Sequence, residues 1–103
     1  MARRRSIDFR RIAEHAAGQS EAIAQRWLPD GRRESGEWVA RNPKRADGRP
    51  GSFKINLRST LWGDFATGDT GRDLIALAAF LFDLKQDEAA LRVAAMLGID
   101  PYV

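Results

Sequence analysis

The stretch WGDFATGDTGRDL, Trp62 to Leu74, gathers three glycines and three aspartates at the start of an apolar run. Read from Gly63, it follows the G-x-x-x-x-G-K-[ST] phosphate loop at Gly63, Gly68 and Thr70, but Asp69 stands where the lysine belongs. A carboxylate there repels the phosphates that the lysine attracts, so a nucleotide hydrolase is the last of the readings. Asp64, Asp69 and Asp73 are of the type that gathers magnesium. They also have simpler work: Asp69 or Thr70 can cap a helix, and Thr70 with Asp73 fits a capping box, which is the preferred account. The glycines suit turns with positive φ or close backbone packing, with one backbone phosphate at the amides of Thr70 to Arg72 as the weaker alternative.

Other chemistry is scarce. His15 is the only histidine and has no nucleophile and orienting acid near it in sequence, so no catalytic residue is assigned. There is no cysteine. Disulfides and a structural zinc site, which takes about four Cys or His ligands, are therefore excluded, and neither a metal nor a cofactor is expected.

The 103 residues have room for one domain with one modest core. Their net charge of +3 conceals an asymmetry: residues 1–58 hold 14 of the 17 basic side chains and 7 of the 14 acids, giving +7, and the rest carry −4. The basic half points to a polyanion, with nucleic acid ahead of an anionic membrane because no long basic amphipathic helix is present. After MARRRS no apolar run follows, and the longest one, Leu74 to Phe82, is about half of a membrane span, so a cytoplasmic location is expected.

Residues 1–5 read as a basic arm, and Ser6 as the cap of a first helix with Phe9, Ile12, Ala13 and Ala16 on one face. Ser20 and Glu21 open a second helix that Pro29 and Gly31 close, with Trp27 expected in the core. Between Asp30 and Thr60, turn residues punctuate short strands. The clearest is SFKINLR, where Phe53, Ile55 and Leu57 alternate with Ser52, Lys54, Asn56 and Arg58. A turn at Arg58 and Ser59 and a strand over Thr60 to Phe65 extend an antiparallel meander with one positive, solvated face. A core helix then begins at Leu74, and a last helix runs from about Gln86 to Leu97 with Gly98 at its C′ position.

Between Arg32 and Arg58 lie eight cations, interleaved with Trp38 and Phe53 and followed by Trp62. Charge that tracks a backbone and flat rings that stack on bases are what single-stranded nucleic acid requires. Trp38 and Trp62 could equally be core residues. The candidate binding set is Arg33, Trp38, Arg41, Lys44, Arg45, Arg49, Lys54, Asn56, Arg58, Trp62 and Arg72.

The order GEWVARNP, then RPGSFKINL, then WGDFATGDTGRDLIAL, then a helix ending AAMLGI, resembles the N-terminal zinc-binding domain of bacterial and phage DNA primases, in the cysteine-free form of plasmid and phage primase and primase-helicase proteins. The resemblance covers Leu28 to Ile99. It places the family's four zinc ligands at Asn42, Arg45, Phe65 and Gly68, none of which suits zinc. What it implies is an α+β domain, a small ribbon-like antiparallel sheet flanked by helices over residues 28–103, with the arm and first helices over 1–27. It further implies a non-catalytic role: engaging single-stranded DNA in primase-linked replication of a mobile element, as a stand-alone accessory or part of a larger primase, with a primase or helicase as a further partner. In this reading hydrogen bonds hold the Asn42 turn and packing holds Phe65. The rival is a module that docks on a primase, helicase or host protein through its helical half.

Overall fold

The computed structural model describes residues 5–45 and 51–103 and is an α+β fold. Two helices come first, α1 (Phe9–Ala17) and α2 (Ser20–Trp27). Five strands follow: β1 (Arg32–Glu34), β2 (Glu37–Ala40), β3 (Phe53–Asn56), β4 (Trp62–Asp64) and β5 (Thr70–Gly71). Helices α3 (Leu74–Phe82) and α4 (Gln86–Leu97) complete the chain. The strands form one open antiparallel sheet in sequence order, an uninterrupted meander. Residues 1–4, most of the expected basic arm, and Arg49 lie outside the described residues.

Local chemistry explains the turns. β1 and β2 are joined by Ser35 and Gly36, both at positive φ (48° and 81°), the backbone that a two-residue hairpin of this twist demands. Between β3 and β4, Asn56 Oδ1 accepts from the amides of Arg58 and Ser59, each at 2.9 Å, and fixes the turn expected there. The short strand β5 was not foreseen. It exists because Gly71 leaves room for the Trp62 ring, where a Cβ would stand 2.4 Å from ring carbons.

Helix starts differ in detail from expectation. Asp8, not Ser6, caps α1, its carboxylate accepting from the Arg11 amide. Asp73, not Asp69 or Thr70, caps α3, accepting from the Ala76 amide at 2.8 Å. The C-terminal residues are tied down as well: Ile7 pairs with Tyr102, the Asp8 amide donates to the Pro101 carbonyl, and the Val103 amide donates to that of Ser6.

One hydrophobic cluster joins both helical pairs to the sheet, including Ile12, Ile23, Phe53, Ile55, Leu74, Leu77 and Val93. Phe53, Trp62 and Phe80 stack against one another with centroids 5.2 to 6.1 Å apart, which seats α3 on the apolar side of the sheet. The opposite side carries Lys54 and Asn56, both half-buried, and the buried Val39 beside them. No helix among the described residues is long and apolar enough to cross a membrane.

Candidate nucleic-acid interface

Strand period and register assign the open face. Phe53 and Ile55 are buried, so Lys54 and Asn56 point the other way; their cross-strand partners Val39, Glu37 and Gly63 share that face, as do Arg32 and Thr70 further out. Continued past Asp64, the same alternation turns Phe65 outward. Phe65 is 81% exposed, and the Lys54 ammonium sits 5.5 Å from its ring centroid. A hollow of about 490 Å³ opens at this spot, with Lys54, Asn56, Leu61, Gly63, Phe65 and Thr70 in its walls and Glu37 and Asp69 also lining it.

The ammonium can meet a phosphate, and the ring presents a flat apolar surface to a base. Phe65 was expected to be held by packing; it is instead the exposed aromatic of the face. Its signal was available in the sequence, two residues beyond Gly63 on the outward parity of β4.

The tryptophans are corrected in the other direction. Trp38 is 7% exposed and donates its indole N–H to the Leu28 carbonyl; Trp62 is 5% exposed and donates to the Asp73 carbonyl, both at 3.0 Å. Register accounts for both, since Trp38 and Trp62 each pair across from Ile55 on the inward side. Neither ring is open to a base. Trp27 is half-buried, edge-on to Phe82.

The cations divide into three groups. Arg41, Lys54, Arg58 and Arg72 carry no ion pair among the described residues, and all but half-buried Lys54 are exposed. Arg41 shares a second hollow, of about 330 Å³, with Asp30 and Arg32. Arg33 is committed to the helical side, paired with Glu21 of α2 at 2.8 Å because its partner on β2 is the inward Trp38. Lys44 reaches Asp83 at the end of α3 and lies over the Phe80 ring, so it too belongs to the helical side. Asn56, expected to bind, spends its acceptor on the β3–β4 turn.

Arg45 belongs to a buried polar cluster. Asn42 (1% exposed) donates from Nδ2 to Asp64 Oδ2 at 2.8 Å, and Arg45 stands 3.8 Å from the same oxygen. Asp64 Oδ1 accepts from the Ala66 amide, and Asn42 Oδ1 from the Lys44 amide. The turn after β2 and the turn after β4 are thereby fastened to each other through three side chains. Burial pushes the Asp64 carboxyl up, but the bonds from Asn42 and the Ala66 amide and the charge of Arg45 outweigh it and hold the group below its ordinary value.

The aspartates of the opening stretch are thus dispersed. Asp64 is buried in that cluster, Asp69 accepts from the Thr67 hydroxyl, and Asp73 caps α3. Among the described residues no three His, Asp or Glu side chains converge as a metal would require. With Asp73 at the head of α3 and Thr70 and Gly71 in β5, the helix start offers no open amide cradle to a phosphate.

The fold has a solved counterpart. It is similar to part of the crystal structure of the Aquifex aeolicus primase comprising its zinc-binding and RNA polymerase domains, with TM-score 0.68 and 21% identity over 92% of this chain. The chain spans 22% of the length of that protein. At this identity the likeness is one of fold, and the fold is primase-like. No family model and no curated protein matches the sequence.

Proposed function

We propose that the chain is a non-catalytic domain that binds single-stranded DNA through the open face of its sheet, in primase-linked replication of a plasmid, phage or other mobile element in the cytoplasm. The observation that carries the reading is Phe65, exposed on the solvated face with the Lys54 ammonium against its ring. Lys54, Arg58 and Arg41 meet phosphates, with Arg72 at the margin; Phe65 stacks a base. Glu37 and Asp69 in the same hollow oppose a phosphate directly over Phe65, which favours a base there and the backbone along the cations. The primase-like fold supports the replication context, and a primase or helicase is the protein partner expected with it. The Asn42–Asp64–Arg45 cluster fastens the two turns at which zinc ligands are placed by the sequence resemblance, so the domain works without a metal.

The test is a salt series with a short labelled single strand. Lys54→Ala and Arg58→Ala each reduce the slope of log K against log salt by about 0.7, and Phe65→Ala leaves the slope unchanged while weakening binding by the ~1–3 kcal/mol of one stacked base. Absence of binding at low salt, or a Phe65→Ala variant that binds as tightly as the parent, refutes the reading. Duplex DNA and single-stranded RNA run beside it distinguish the kind of strand preferred.

A further inference from the structure

On the helical layer, behind the sheet, a groove of about 330 Å³ runs between α2, α3 and α4. Its walls are apolar: Trp27, Ala78, Phe82, Val93 and Met96. Phe82 is 44% exposed and presents its ring against the edge of half-buried Trp27, at 5.6 Å and 87°. Trp27 and Phe82 thus set two large rings in a groove that is open to solvent.

Two arginines flank it, Arg26 from α2 and Arg92 from α4. Neither has a carboxylate partner among the described residues. Glu21 of α2 pairs with Arg33, Asp83 beside Phe82 pairs with Lys44, and Glu88, one turn before Arg92 on α4, accepts from the Lys85 amide. The groove is therefore an aromatic-lined slot whose own positive charge is unanswered. It lies on the other side of the sheet from Lys54 and Phe65, because α3 packs on the apolar face through Phe80.

We propose that this groove docks an acidic peptide segment of a partner protein, one bulky apolar side chain seated against Trp27, Phe82 and Met96 and flanking carboxylates paired with Arg26 and Arg92. The occupant's chemistry follows from the two features together: the slot has room for one large side chain, and unpaired guanidiniums select carboxylates in a bidentate geometry. Placement on the helical layer lets the domain hold DNA and a protein at once.

The probe is a fluorescein-labelled peptide of sequence GEDEFEDEG, titrated with the full chain and followed by anisotropy. Expected are saturable binding that salt weakens, loss of binding for the peptide whose phenylalanine is replaced by glycine, and a reduction of about five-fold or more for each of Arg26→Ala and Arg92→Ala, the size of one charge pair at a partly desolvated site. Phe82→Ala, a partly exposed site that leaves the fold intact, also weakens it. Lys54→Ala and Phe65→Ala leave peptide affinity unchanged, so a failure of the DNA reading is separate from a failure of this one. Equal affinity for the parent and both arginine variants overturns the proposal. So does competition by single-stranded DNA for the peptide, which makes the groove part of a nucleic-acid track. Sedimentation showing a dimer that Arg92→Glu disrupts assigns the groove to a second copy and likewise overturns it.

Discussion

Asn42→Ala probes the polar cluster that joins the two turns. It removes the Nδ2 bond to Asp64 Oδ2 at 2.8 Å, inside a cluster where Asn42 and Asp64 are 1% and 2% exposed. A hydrogen bond to a charged group is worth about 1.5–3 kcal/mol when its loss leaves that charge buried. The Lys44 amide also loses its acceptor at 2.9 Å, but it is only part-buried and turns to water at under ~1 kcal/mol. Asp64 keeps the Ala66 amide and Arg45, so the loss is not that of a bare buried charge. The expected total is about 2–4 kcal/mol, a large part of the ~5–15 kcal/mol that holds a domain together.

Equilibrium urea unfolding at neutral pH measures it, as a fall in midpoint at constant slope. Thr67→Ala on the same turn is the control: its hydroxyl bonds only to exposed Asp69, and its replacement shifts stability by less than ~0.5 kcal/mol. The acid limb adds a sign. The folded Asp64 carboxyl lies below its ordinary value of 3.8, so its contribution is whole above that pH and is lost as pH falls through the lower folded value. Since Asn42 is among the groups holding it down, the gap between parent and Asn42→Ala narrows as pH falls below 3.8 toward the lower folded value, leaving the part that belongs to the Lys44 amide. An Asn42→Ala loss no larger than that of Thr67→Ala, or a gap that stays constant into that acid window, refutes the assignment.

Other outcomes follow from single contacts. Gly71→Ala sets a Cβ 2.4 Å from the Trp62 ring and forces the indole off its Asp73 bond, a destabilisation of about 1–3 kcal/mol read as a lower Tm. Asp73→Ala removes the cap of α3 and lowers stability by roughly 1 kcal/mol in the same urea assay; Asp69→Ala, which caps nothing, does not. Dialysis against a chelator leaves Tm unchanged; a fall of several degrees reveals a metal contributing to the fold.

What was legible in the sequence was whatever depended on near neighbours. The alternation of SFKINLR fixed which side of β3 is wet, and the apolar run from Leu74 and the last helix from Gln86 to Leu97 stand as expected because helix periodicity and Gly98 at φ 71° are local signals. The binding set was less legible. Parity tells that Trp38 and Trp62 face the same way as Ile55 only when cross-strand register is known, and register is a long-range property. Lys44 and Arg45 were read by charge alone, yet each found a carboxylate about 20 to 40 positions away, Asp83 for Lys44 and Asp64 for Arg45. A count of cations in a segment overstates the charge available to a ligand, because folding spends part of it on partners that the segment does not contain.

That same accounting separates the two faces of the molecule. Three of the ion pairs among the described residues, Arg10–Glu14, Arg32–Glu34 and Arg33–Glu21, lie on exposed helix or hairpin surfaces and contribute little to stability, but they neutralise arginines that would otherwise compete for a polyanion. Five of the cations left over fall into two sets. Arg41, Lys54 and Arg58 sit on β2, β3 and the turns that follow them, and Arg26 with Arg92 flanks the groove between α2 and α4. Lys54 of the first set stands over the exposed Phe65 ring, and Arg26 and Arg92 of the second flank the groove that holds Phe82. The β3–β4–α3 core that lies between them is held by Phe53, Trp62 and Phe80, so either face can change its ligand contacts without disturbing the packing that supports the other. If the two sites are independent in this sense, single-stranded DNA and the acidic peptide bind together with affinities that do not depend on each other, and the Phe65→Ala and Arg92→Ala effects add.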